Sequence, residues 1–384
     1  MIPIFLMNFL FAISTTIGMA FIPLLVTDNL GMSLLILGLI EGGSELISNV
    51  LRLVTGNAFD RIKNRRLLFV VPSILAFISK IILYLPNTLT ILTSKVTERI
   101  SNGSFAAPRD AYIGENAQNK GLALGLLSAA KTVGCVLGPL IVSASTLWLG
   151  PLEEHIQIII LLACFVNFTG FILSFFINTK RNLVLKTEGK FDFTKLKEAC
   201  RELRLLFILS LFFFLGRFND GVIMLCLKKH GFPEWFYLST ISFFNFVILM
   251  ISPIMGYLID KGKEYHILFF TIIGLLGFNL CFFKLEYPAW ILAFGGLIFW
   301  GIQRAGAQIT FSAIIFKKTP IKFYGTAIGI YSFISGVGVF ISSLISGYMA
   351  QTSFSNAFIL SGSFSITAFA MALYMYSIDK KGIT

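Results

Sequence analysis

The chain has 384 residues, 56% of them hydrophobic and 13% charged, and a mean hydropathy of +0.83. A water-soluble domain carries roughly a quarter charged residues, so composition excludes a globular enzyme and points to an all-α polytopic membrane protein. The net charge of +12 needs no nucleic-acid partner, because basic loops between spans can meet anionic lipid headgroups.

Long unbroken apolar runs also argue against a β-barrel, whose strands alternate over about ten residues. The first such run, Ile4–Thr27, contains no Lys or Arg. It lacks the basic start of a secretory signal and reads as an uncleaved first helix. Twelve spans follow from hydropathy, at 4–27, 33–59, 67–85, 89–107, 120–147, 155–178, 205–227, 235–259, 266–284, 289–316, 323–349 and 354–377. Thr179–Arg204 is the longest polar stretch, with eight basic and four acidic residues. Its later part, Phe193–Leu203, has the pattern of a surface amphipathic helix. The expected organisation is a six-helix bundle at 1–178, a linker at 179–204 and a second six-helix bundle at 205–384.

With both termini inside the cell, 21 of the 31 Lys and Arg residues fall on the cytoplasmic side. The opposite side holds Lys228, Lys229 and Lys284, and the other seven lie within spans. This asymmetry sets the expected orientation in a cytoplasmic (inner) membrane. The five cysteines and three histidines have no metal or redox spacing, and no P-loop is present. Neither cofactor nor metal is expected. An intramembrane enzyme would need a catalytic cluster at one depth, and the sequence offers none.

A short signature occurs twice, 200 residues apart. Gly56, Asp60 and Arg61 lead into Arg65 and Arg66, while Gly256, Asp260 and Lys261 lead to Lys263. Paired halves in a membrane chain point to a transporter. Glycine permits close helix approach, and the carboxylate can meet a helix N-terminus or an Arg across the loop. Such contacts suit a gate. Span four contains Arg99-Ile100-Ser101-Asn102-Gly103, and span ten carries Arg304 at a corresponding depth. Span five carries Gly125, Gly134, Gly138 and Pro139, residues suited to helix packing and bending.

These motifs resemble those of the major facilitator superfamily across the whole chain. The loop after span two departs from the family pattern at Lys63, usually a glycine. Arg99 to Gly103 resembles the family's R-x-x-[QN]-G motif, linked to proton or substrate handling. The span-five glycines resemble the antiporter motif without its final glycine pair. Glu98-Arg99 and Pro108-Arg109-Asp110-Ala111 resemble a widespread bacterial subgroup, from which this chain departs at Lys131, where that subgroup often carries an Asp. The resemblance implies twelve helices in two pseudo-symmetric bundles working by alternating access.

A charge at mid-bilayer costs about 2.5–3.5 kcal/mol on insertion scales, so each is a functional candidate. Glu45 and Arg52 lie near one helical face. Arg217 and Asp220 have the spacing of an intrahelical pair. Lys80 stands near the outer end of its span, where it can snorkel, and Arg52 near the inner end, within reach of the loop lock. Trp148, Trp235, Trp290 and Trp300 are mostly near span ends, as interfacial anchors are. Arg99, Lys131, Arg217 and Arg304 fall near mid-span in helices that approach the family's central cavity. Together they suit a shared anion site, since Arg binds carboxylate or phosphate bidentately and Lys adds a point charge. Glu41, Glu45, Glu98 and Asp220 are the candidate proton carriers.

The expected activity is secondary-active, proton-coupled transport of a small organic anion by a monomer, a polycarboxylate or siderophore being one example. Drug or metabolite efflux by antiport is the second reading. A membrane receptor that binds without transporting is the third.

Overall fold

Without water, a backbone in lipid must satisfy its hydrogen bonds internally, and apolar runs of this length do so as helices. The computed structural model describes residues 2–61, 65–85, 87–116, 120–177, 203–285, 289–319 and 324–380. Its helices are α1 (Ile2–Leu24), α2 (Leu34–Arg61), α3 (Leu67–Ile82), α4 (Thr88–Asn116), α5 (Lys120–Leu149) and α6 (Leu152–Ser174). Then come α7 (Arg204–Leu215), α8 (Asp220–Lys229), α9 (Glu234–Asp260), α10 (Glu264–Phe283), α11 (Trp290–Lys318), α12 (Tyr324–Thr352) and α13 (Phe354–Lys380). A π-helical turn, Leu25–Asn29, ends α1. The expected linker at 179–204 lies outside the described residues apart from Leu203 and Arg204.

Among the described residues, nine segments are long and apolar enough to cross a membrane, with α7 and α8 counted as one. The shortfall from twelve has a physical cause. α3 has 16 residues, while α4 and α11 carry mid-span charges. These three helices turn polar side chains inward, and with them the described helices make about twelve crossings.

Two spans differ from their reading in sequence. Span four does not stop before Pro108 but runs through it to Asn116. Span seven is not one helix. α7 ends at Leu215 and α8 begins at Asp220, with Asn219 capping it by accepting from the Gly221 amide at 2.7 Å. The carbonyls freed by the break are not left bare. Ser361 donates to the Gly216 carbonyl and Ser342 to the Arg217 carbonyl. Neighbouring helices re-satisfying the backbone is what makes a broken helix tolerable in lipid.

The halves meet along two long seams, α2 against α12 and α5 against α9. Glycine sets the first. A Cβ on Gly42 would stand 2.8 Å from that of Ser343 on α12. Polar contacts between the halves include Ser143 to the Trp235 carbonyl and Ser242 to the Val136 carbonyl, both 2.6 Å, and the ion pair of Asp28 with Lys228. All three lie in the half of the bundle away from the chain termini. Lys80 does not snorkel. It is 1% exposed and bonded to Glu98 at 2.5 Å. Trp300 likewise is no interfacial anchor, being fully buried in the middle of α11.

Candidate functional site

Charged side chains inside a bilayer face protein or water rather than lipid, which drives those of different helices toward one interior. Between the halves lies a cavity of about 400 Å³. α1, α2, α4 and α5 line it from the first half. The break between α7 and α8, with α9, α11 and α12, lines it from the second. Arg99, Lys131, Arg217 and Arg304 all reach this cavity. Glu41, Glu45 and Asp220 reach it as well, while Glu98 lies outside it, held by Lys80.

Each charge has a distinct setting. Arg99 Nη1 pairs with Glu45 Oε2 at 2.9 Å. Arg304 Nη1 meets both oxygens of Asp220, at 2.7 and 2.6 Å, and Trp300 Nε1 donates to the same carboxylate at 3.1 Å. The expected pairing of Arg217 with Asp220 is not formed. The break between α7 and α8 removes the helical register that would align them, and Asp220 turns to α11 instead. Arg217 is packed against aromatic faces, 5.5 Å from Phe214 and 5.7 Å from Trp300. Neither Arg217 nor Lys131 has an ion-pair partner among the described residues. Lys95 faces Glu41 at 3.5 Å.

The wall also carries Arg52 and Arg109. Among the described lining residues six cations therefore stand against three carboxylates, an electropositive chamber. Arg109 donates to Asn8 Oδ1 at 2.7 Å and to Asp110 at 2.8 Å. Hydropathy ends span four before Pro108 and so leaves Arg109 outside the membrane, whereas the continuing helix carries it to the cavity. Arg52, expected near the loop lock, is brought to the cavity by the turn of α2. Apolar lining comes from Phe11, Phe105, Phe218 and Phe244, with Arg304 stacked 5.0 Å over Phe244.

A family model described as Major Facilitator Superfamily matches residues 4–320 and 235–383. The chain belongs to the Major Facilitator Superfamily. Membrane transport is the activity of that family. The uncharacterized MFS-type transporter MJ1317 of Methanocaldococcus jannaschii is 26% identical over 383 residues, covering 96% of this chain and 92% of the relative. The fold is similar to that of a POT family transporter solved with a thioalcohol-conjugated peptide, with a TM-score of 0.79, 13% identity, and 99% and 96% of the two chains covered. It is similar too to the nucleoside transporter NupG, with a TM-score of 0.77, 11% identity, and 99% and 98% covered.

Other motif residues of this superfamily member sit away from the cavity. Gly134 and Gly138 press α5 on α1, where added Cβ atoms would stand 2.6 Å from the Phe9 carbonyl oxygen and 2.2 Å from Thr16 Oγ1. Pro139 is buried beside them. Gly125 and Gly256 have open space where a Cβ would go, so neither mediates a close approach in this conformation. Asp260 is exposed at the end of α9, and the Lys261 ammonium lies 4.3 Å over the Tyr257 ring. Arg66 donates to the Phe175 carbonyl and Arg65 is buried. The side chains of Gly56, Asp60 and Arg61 fall outside the described residues.

Proposed function

We propose that this protein is a proton-coupled, secondary-active transporter of a small organic anion. It works by alternating access as a monomer in the cytoplasmic membrane, with both termini inside the cell. The observation that carries the reading is the six-to-three excess of cations on one cavity wall. Lys131 and Arg217 stand there without ion-pair partners among the described residues. Cations from both halves suit a ligand that bridges them, such as a polycarboxylate, carboxylate siderophores included. The polar contacts between the halves lie away from the termini, so this arrangement corresponds to the outward side shut. The loops at Gly56, Asp60 and Arg61 and at Gly256, Asp260 and Lys261 then act as the gate of the opposite state.

A second reading, efflux of apolar drugs or metabolites, draws on the four phenylalanines lining the cavity. The glycines of α5 do not favour it, because packing α5 on α1 serves either direction of transport. Purified protein in liposomes with an imposed pH gradient separates the readings. Accumulation of citrate or benzoate with the proton gradient is expected. Preference for a hydrophobic cation would promote efflux. Binding of an anion without counterflow would promote a receptor.

A further inference from the structure

The three carboxylates on the cavity wall lie deep in it. Depth can be counted along each helix from its end on the side of the chain termini, at about 1.5 Å per residue. Glu45 and Asp220 then stand about 24 Å in, and Glu41 about 30 Å in. Each is matched there by a cation. Glu45 is paired with Arg99, Asp220 with Arg304, and Glu41 with Lys95. Arg217, about 20 Å in, is packed against the rings of Phe214 and Trp300. The three remaining cations, Arg52, Arg109 and Lys131, stand only about 10–17 Å in, all on the first half. No carboxylate among the described lining residues shares their level. Arg52 and Lys131 are exposed to the cavity and have no ion-pair partner among the described residues.

We infer that Arg52, Arg109 and Lys131 form a phosphoryl subsite, and that the transported anion is a small phosphomonoester whose uncharged body reaches the deeper, charge-balanced part of the cavity. The inference rests on the anion-transport reading above and narrows the anion. The three cations come from three helices and feel one another. Arg52 of α2 acts on both Arg109 of α4 and Lys131 of α5, and Arg109 acts on Lys131. The carboxylates that act on the cluster are already engaged. Asp110 holds Arg109 from outside the cavity lining, and Glu45 is paired with Arg99. Arg109 is fixed in place, donating to Asn8 and Asp110 and lying 5.5 Å over the Phe105 ring. Arg52 and Lys131 are left to turn toward a ligand.

A carboxylate is planar, carries one charge and is satisfied by a single Arg fork. A phosphate monoester carries about −1.5 to −2 at neutral pH and presents three acceptor oxygens in one head. That head matches three cations converging from three helices, with Arg binding phosphate through its fork and Lys adding a point charge. Ser128, three residues before Lys131 and also on the cavity wall, adds a hydroxyl on the same face of α5. The deeper wall suits an uncharged body. Phe218 and Phe244 supply apolar faces there. An ionised group at that depth would have to share Arg99 and Arg304 with Glu45 and Asp220. A hydroxyl can instead take the part of the Arg304 fork that Asp220 leaves open. The cavity of about 400 Å³ has room for head and body, since small-ligand sites span about 300–1,000 Å³.

The test measures affinities of full-length purified protein at neutral pH for a panel of probes. The panel is para-hydroxyphenyl phosphate, its singly charged methyl diester, para-hydroxybenzoate, citrate and lysophosphatidic acid. The wild type is expected to bind the monoester about tenfold or more tighter than the diester or the benzoate, as one further charged hydrogen bond predicts. This comparison needs no variant. Arg52→Gln and Lys131→Gln should each abolish that preference, and a ratio of affinities does not depend on how much of a variant is folded. Equal wild-type affinities for monoester and diester, or tighter binding of citrate than of the monoester, overturn the phosphoryl subsite while leaving the anion site standing. A preference that survives in both variants overturns its assignment to this cluster. Tighter binding of lysophosphatidic acid than of para-hydroxyphenyl phosphate overturns a soluble ligand. Failure of the wild type to bind any of the panel overturns the anion site itself, and this subsite with it.

Discussion

At Arg304 both bonds to Asp220 come from Nη1, which leaves Nη2 and Nε for another acceptor. A lysine could replace the ion pair but not the fork. Arg304→Lys is therefore expected to preserve folding and weaken anion binding by about 1.5–3 kcal/mol, the range for a charged hydrogen bond. Calorimetry with the bound probe anion checks this, and unchanged affinity would remove Arg304 from the site. Lys80 gives a contrasting case. Its ammonium is sealed against Glu98, far from any exchange with solvent. Lys80→Met strands a buried carboxylate and should destabilise the protein by about 3–5 kcal/mol. The double variant Lys80→Met, Glu98→Leu should recover most of that loss, because neither charge remains. Melting curves of the two variants in detergent decide it.

The elements show two uses of small residues. In α5 they allow contact. Gly138 sits so close to α1 that a Cβ would collide with Thr16 and the Ile13 carbonyl, whereas Gly125 faces open space. Gly138→Leu is expected to lower stability by about 1–3 kcal/mol or more through overpacking, and Gly125→Leu to be nearly neutral. Equal melting temperatures for the two would sink the packing account. In span seven the sequence Gly216-Arg217-Phe218-Asn219 allows a break instead. Gly216 has no room for a side chain beside Ser361 and Ser365, and Asn219 supplies the cap for α8. The break places Arg217 and Asp220 on the cavity wall with different partners, so this element contributes two functional groups that a continuous helix would have paired with each other.

For the whole molecule, the alternating access proposed above requires the α2–α12 seam to open on the side away from the chain termini. Gly42 and Ser343 lie on that seam, with Cβ positions 2.8 Å apart, about 1 Å short of usual disulfide geometry. The double variant Gly42→Cys, Ser343→Cys should cross-link on mild oxidation with a small spreading of the helices. The cross-linked protein is expected to lose transport and regain it on reduction. Full transport by cross-linked protein would show that this seam need not open.

Several features of this protein are legible in the chain itself. Run lengths and sparse charge require a helical membrane bundle, because lipid offers the backbone no hydrogen bonds. The repeated Gly-x-x-x-Asp-basic signature and the polar midpoint indicate two related halves. Arg99, Lys131, Arg217 and Arg304 stand out by type and depth alone, because an intramembrane cation is costly wherever it occurs. What surrounds each of them is a tertiary matter. Sequence spacing pairs Arg217 with Asp220, but the break in span seven gives Asp220 to Arg304 and Trp300. Hydropathy ends span four at Pro108, but packing carries the helix on and delivers Arg109 to the cavity. Lys80 and Glu98 lie 18 positions apart on different helices, and only the folding of α3 on α4 makes them one buried pair. Local periodicity reports which face of a helix is polar; which other helix that face will meet depends on the packing of the whole bundle.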